Sequence, residues 1–208
     1  MELNEGWRKV VMEDGTRCSL YIALLHYPVY NRRGEEVTSA VTNLDIHDIA
    51  RLARTYGLDG YFIVNPDREQ QSIVRKICSH WLEGYGSGYN YERGSALSLV
   101  ELADSLKEVV ITIERKHGTC PVTIATSAAV KDSLRGKTVS FGEARKMLSG
   151  GNAPHLLILG TGWGLSEDIM NEADYMLAPV SGRGGYNHLS VRSAAAIVVD
   201  RLLGNFND

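Results

Sequence analysis

Short, nearly continuous apolar runs recur along this chain and constrain its fold more than any other feature. They are Leu20-Tyr-Ile-Ala-Leu-Leu-His-Tyr-Pro-Val29, Tyr61-Phe-Ile-Val64, Val122-Thr-Ile-Ala-Thr126, His155-Leu-Leu-Ile-Leu159 and Tyr175-Met-Leu-Ala-Pro-Val180. A strand that is apolar without alternation is buried on both faces, as in a parallel sheet covered by helices. Amphipathic stretches fill the intervals. The pattern therefore predicts an α/β fold, a mostly parallel sheet flanked by helices, in a single domain over residues 1–208.

The helix signals are explicit. Asp45-x-x-Asp48 is a cap signal for a helix with Ile46, Ile49, Ala50 and Ala53 on one face, stopped by Gly57. Asn65-Pro66-Asp67 opens a second helix, with Ile73, Val74, Ile77 and Trp81 on its apolar face. Leu99, Ala103, Leu106, Val110 and Ile113 mark one long helix from Ser95 to about Lys116, ended by Gly118 and Pro121. Ser140 and Glu143 form a capping box, Ser166 caps a helix through Ala173, and Ser190 caps a final helix that Gly204 ends. Residues 84–94, rich in glycine, are expected to be a mobile loop whose three tyrosines either stack on bases or pack onto the body. Residues 1–17 are expected to be a short extension, with a hairpin signal at Asp14-Gly15.

Composition removes several classes. No apolar run approaches the ~20 residues of a membrane span, and the acidic start Met1-Glu-Leu-Asn-Glu5 does not resemble a leader, so a soluble cytoplasmic protein is expected. Cys18, Cys78 and Cys120 form no metal-binding spacing, so no metal is expected. The net charge of -3 gives no global attraction for phosphates. Arg32-Arg33, Arg51/Arg54, Arg68/Arg75-Lys76 and Arg183/Arg192 either build a local positive face or are scattered surface charges.

Gly160-Thr-Gly-Trp-Gly164 joins a buried strand to a capped helix, which is where α/β sheets bind ligands. Glycine there lets a ligand approach the backbone without Cβ interference. The dinucleotide fingerprint fails because Leu165 stands where its third glycine belongs, and the phosphate loop fails for want of Gly-Lys-Ser/Thr. A Rossmann-type methyltransferase also uses Gly-x-Gly-x-Gly, but after its first strand, whereas here one strand and one helix follow. A tight turn without a ligand is the remaining alternative.

Three ordered segments together resemble the SPOUT superfamily of trefoil-knotted methyltransferases. Asn43-Leu-Asp-Ile-His-Asp-Ile-Ala-Arg51, continuing to Gly57, is similar to its first motif. Leu157-Ile-Leu-Gly-Thr-Gly-Trp-Gly-Leu-Ser166 is similar to the second, and Asn187-His-Leu-Ser-Val191 to the third. The run from Tyr186 to Ala196 resembles a stand-alone group of SPOUT RNA methyltransferases.

The resemblance implies a deep C-terminal trefoil knot, S-adenosylmethionine (SAM) as cofactor with S-adenosylhomocysteine as product, an RNA substrate such as tRNA or rRNA, and a homodimer. The homodimer would complete each site with its partner. It places the cofactor against Thr126, Leu159, Gly160, Thr161, Gly162, Gly164, Leu165, Ala178, Val180, Leu189 and Ser190. Arg51 takes the family's catalytic arginine position; on the helix alone a surface partner of Asp48 or Asp45 is the commoner reading. Asp45 stands where the ribose-methylating branch has Asn, and no Glu lies between the glycines, so base nitrogen and ribose 2′-oxygen both stay open as acceptors. Asp45, Asn187 and His188 are the further catalytic candidates, with Asp45 also readable as a helix cap and His188 as a structural hydrogen-bonder. A protein that binds SAM or RNA without turnover is the alternative of a different class.

Overall fold

In a computed structural model, residues 19–129 and 131–205 are described. The Asp14-Gly15 hairpin signal lies outside them. The chain runs through β1 (Leu20–Leu25), β2 (Val29–Tyr30), β3 (Glu36–Val37), α1 (Asn43–Thr55), β4 (Gly60–Val64) and α2 (Arg68–Leu82). It continues through α3 (Tyr85–Tyr89), α4 (Tyr91–Leu97), β5 (Val100–Ala103), α5 (Leu106–His117), β6 (Val122–Thr126) and β7 (Thr138–Val139). The last elements are α6 (Phe141–Ser149), β8 (His155–Gly160), α7 (Glu167–Glu172), β9 (Tyr175–Leu177) and α8 (Val191–Leu203).

Seven strands form one parallel sheet in the order β5-β4-β1-β8-β6-β9-β7. Every residue of β1 is buried, which accounts for its unbroken apolar run. Leu20, Ile22 and Leu24 point to one face, against α1, α6 and α8; Tyr21, Ala23 and Leu25 point to the other, against α5 and α7. The result is a helix-sheet-helix sandwich with β1 and β8 at its centre. Their register, with Leu25 opposite both Val64 and Gly160, brings the carboxyl ends of β1, β4 and β8 to one edge. Among the described residues no helix is long and apolar enough to cross a membrane.

Several elements differ from the sequence expectations. The first strand stops at Leu25, and a separate β2/β3 hairpin follows, because Pro28 has no N–H for a sheet ladder. Thr42, not Asp45, caps α1, and Asp67 alone caps α2. Residues 84–94 form the short helices α3 and most of α4 rather than an irregular loop; Asn90 supplies the cap between them, accepting from the Arg93 N–H at 2.9 Å. The helix expected over 95–116 is broken. Val100–Ala103 pairs with β4 as the sheet's edge, and Ser105 caps α5 by accepting from the Glu108 N–H. Helical spacing of apolar residues continues across the break, so periodicity alone could not see it.

The sign of one substitution separates the two readings of residue 105. An exposed mid-helix Ser→Ala change stabilises slightly, whereas loss of a cap destabilises by about 1 kcal/mol. Ser105→Ala is expected to lower the free energy of urea unfolding by about that amount.

Candidate functional site

The glycine turn leaves β8 and is clamped from outside the sheet by the segment that leaves β1. Tyr30 N–H donates to the Gly164 carbonyl at 2.9 Å, Trp163 N–H to the Tyr30 carbonyl at 2.8 Å, and Thr161 N–H to the Leu25 carbonyl at 3.2 Å. Gly162 has φ +58°, and a Cβ there would lie 2.8 Å from the Tyr30 carbonyl oxygen. Glycine is thus required twice over at this position, by its dihedral and by the close approach.

Above the turn opens a cleft of about 760 Å³ at the carboxyl ends of β6, β8 and β9. Of the expected cofactor residues, Thr126, Leu159, Gly160, Thr161, Gly162, Gly164, Ala178, Val180, Leu189 and Ser190 line it. Leu165 does not; it is buried beneath, and its backbone nitrogen would lie 2.8 Å from a Cβ on Gly160. It supports the turn rather than forming its wall. A smaller, apolar cavity of about 360 Å³ lies between α5, β6 and α7, on the other face of the sheet, and holds no expected residue.

Asp45, Asn187 and His188 also line the cleft. Asp45 is buried at the first turn of α1, where its carboxylate accepts from Thr42 Oγ1 at 2.6 Å and its N–H donates back to the same oxygen at 3.1 Å. Asn187 donates to the Ala128 carbonyl at 2.6 Å, tying the segment before α8 to the loop after β6. His188 is exposed, edge-on to the Tyr186 ring at 5.3 Å. Ser190 caps α8. Arg51 is exposed on α1 and lies outside the lining of this cleft.

The ion pairs expected of Arg51 belong instead to Arg192. Its guanidinium stands 3.5 Å from Asp45 and 2.9 Å from Asp48, joining the first helix to the last. Sequence reading grouped Arg192 only with surface charges; its i, i+4 neighbours gave no sign of a contact across 144 residues. The wall built by Ser39, Ala40 and Thr42 was also missed, because it comes from a segment without periodicity.

Electrostatically the cleft is specific. Among the described residues, its lining contains one carboxylate, Asp45, and no lysine or arginine, with apolar walls from Leu159, Leu177 and Val198. Such a lining offers no lysine or arginine to a phosphorylated ligand. No cluster of three or more His, Cys, Asp or Glu placed to hold a metal occurs among the described residues.

Beneath the turn, His26 is fully buried, and burial lowers its pKa to about 4 against the opposing pull of Asp45 and the Ala40 and Ser39 backbone. The native state keeps this ring neutral while the unfolded chain protonates below about pH 6.5. Stability is therefore full above that pH and lost as pH falls toward 4, with His155, lowered likewise by burial, acting in the same direction. Urea unfolding is expected to show a loss of about 2 kcal/mol from His26 between about pH 6.5 and about pH 5, a slope that His26→Asn reduces.

Comparison with known proteins identifies the family and the fold. A family model described as SAM-dependent RNA methyltransferase matches residues 19–204. A tRNA (guanine-N(1)-)-methyltransferase of Oleidesulfovibrio alaskensis is 44% identical over 90% of the chain, but the chain spans only 42% of that relative's length. An uncharacterised protein of Aquifex aeolicus is 38% identical over 88% of both chains. The TrmH/SpoU tRNA modifying enzyme of A. aeolicus superposes with a TM-score of 0.53 at 15% identity, covering 90% of this chain and 75% of that one, and so shares the fold.

Proposed function

Because the chain belongs to the SAM-dependent RNA methyltransferase family, we propose that it binds SAM in the cleft above the glycine turn and transfers the methyl group to a base nitrogen of RNA. The observation that carries this reading is the cleft itself: ten expected cofactor residues converge on apolar walls whose one carboxylate is Asp45. The fit is good in size as well, since cofactor clefts run to about 300–1,000 Å³. tRNA is the substrate class named for the Oleidesulfovibrio relative. The threading of a C-terminal knot belongs to the same reading, supported by the insertion of β8 between β1 and β6.

SAM supplies a methyl group already activated on sulfonium, so the protein's tasks are alignment and removal of the acceptor's proton. Gly160, Gly162 and Gly164 line the cleft with the backbone of the turn, and Ala178, Val180 and Leu189 close the apolar wall around the ligand. Asp45 takes the proton from the base nitrogen. Arg192 holds that carboxylate in place, and Thr42 donates to its second oxygen. His188, at the mouth, and Asn187, tied to Ala128, orient the incoming base.

Arg51 is exposed and outside the lining of its own cleft, and in this reading it acts on RNA in the site of a second copy in a homodimer. That assignment has a direct check. Asp45→Asn and Arg51→Ala homodimers should each lose about 10²-fold or more in radiolabelled methyl transfer to total RNA. Mixing the two under subunit exchange should regenerate activity, because one site then combines an intact Asp45 with an intact Arg51. Continued silence after exchange would place Arg51 in cis or outside catalysis, and wild-type protein that transfers no methyl while binding SAM would be a binding module.

A further inference from the structure

Under the floor of the cleft lies a buried histidine that the reaction as described does not use. His26 Nδ1 is 2.9 Å from Ser39 Oγ, Ser39 Oγ is 2.5 Å from Thr161 Oγ1, and Thr161 Oγ1 is 3.0 Å from the Leu25 carbonyl oxygen. Ser39 and Thr161 both line the cleft. Ser39 is fixed at both ends, its N–H donating to the His26 carbonyl at 2.8 Å and its carbonyl accepting from Asn65 Nδ2 at 3.2 Å. His26 Nε2 has no hydrogen-bond partner.

Only one placement of protons makes all three contacts hydrogen bonds. A carbonyl oxygen can only accept, so Thr161 donates to Leu25. Ser39 must then donate to Thr161, and His26 must donate to Ser39 from Nδ1. The imidazole is thereby fixed as the Nδ1–H tautomer with a bare, buried Nε2, an orphan lone pair being more readily tolerated than an orphan N–H. Having committed their protons to this chain, the Ser39 and Thr161 hydroxyls offer the cleft lone pairs only. That stretch of wall accepts hydrogen bonds and cannot give them.

We infer that His26 is a positioning residue that sets this one-way chain and so makes the Ser39–Thr161 wall a subsite for a hydrogen-bond donor on the bound cofactor. The inference rests on the SAM reading of the cleft. SAM presents two nitrogen donors, the α-ammonium of its methionine part and the exocyclic amine of its adenine. Either one meets the same need: a donor pairs with the wall, whereas an acceptor would face two lone pairs.

Calorimetric titration with S-adenosylhomocysteine, which keeps both donors, tests the idea on wild-type protein, His26→Leu and His26→Asn. The Asn side-chain nitrogen stands near the place of Nδ1 and can still donate to Ser39. His26→Leu should weaken binding about tenfold, the usual scale for one misdirected hydrogen bond, and His26→Asn should restore it. 5′-Methylthioadenosine lacks the ammonium and S-inosylhomocysteine lacks the adenine amine. The Leu penalty should vanish for the analogue missing the donor that the wall reads. Nitrogen-15 spectra of the unliganded wild-type imidazole should show a protonated Nδ1 and a bare Nε2, a readout that needs no variant to fold. An Nε2–H tautomer, or undiminished affinity in His26→Leu, would overturn the inference while leaving the cofactor site intact. Wild-type protein that fails to bind S-adenosylhomocysteine would instead remove the cofactor reading, and the donor subsite with it.

Discussion

The cleft exists because the chain leaving β1 grips the turn leaving β8. Tyr30 both gives a hydrogen bond to Gly164 and takes one from Trp163, and the Leu25 carbonyl takes one from Thr161. These contacts fix the path of residues 161–164 as they leave β8, a path that Gly162 follows with φ +58°. An L-side chain at that position would meet both backbone strain and the Tyr30 carbonyl. The central strands β1 and β8, buried on both faces, provide the rigid base from which both arms of the clamp project.

Two long-range ties complete the cleft. Arg192 draws α8 onto the first turn of α1, so the buried carboxylate of Asp45 is held from the far end of the sequence. Breaking such a partly buried pair costs more than its formation gains, since the buried Asp45 carboxylate would keep Thr42 but lose its counter-charge. Asn187 performs the corresponding task for the segment between β9 and α8, anchoring it to Ala128. Segments that read in sequence as separate motifs therefore meet through hydrogen bonds between side chains and distant partners. The described lining contains neither lysine nor arginine, and its one carboxylate, Asp45, is paired from outside the lining by Arg192. Arg51 is exposed and outside that lining.

Much of this was legible in the sequence, and the rest was hidden for identifiable reasons. Short unbroken runs such as Leu156–Ile158 read as strands buried on both faces, so the centre of the sheet was legible, while its edge strands Val100–Ala103 and Thr138–Val139 were not. The glycine turn was legible because its position, late and after a strand, is informative by itself. By contrast, the break at Ser105 was masked by apolar residues that keep helical spacing across it. The helices at Tyr85–Tyr89 and Tyr91–Leu97 form despite their glycines because Gly86 and Gly94 pack against Trp81, where a Cβ would lie 2.6 Å and 2.9 Å from its ring and carbonyl. Packing of this kind overrides propensity and leaves no periodic trace. The roles of Arg192 and Ser39 depend on pairing across the fold, which spacing along one element cannot reveal, whereas Thr42 caps α1 locally in the place where Asp45 was expected to. The family resemblance supplied what periodicity could not, bringing Asp45, Asn187 and His188 to attention as one group.

The central claim is that SAM occupies the cleft formed by the glycine turn, the end of β9 and the start of α8. Backbone amide shifts recorded during titration of the nitrogen-15-labelled protein with SAM test it most directly. Saturable shifts confined to Thr161–Gly164, Ala178, Val180, Leu189 and Ser190, with α5 and α7 unmoved, are the predicted result. Shifts centred instead on Leu106, Val110 and Ala173, around the smaller cavity on the opposite face, or no saturable shifts at all, would contradict it.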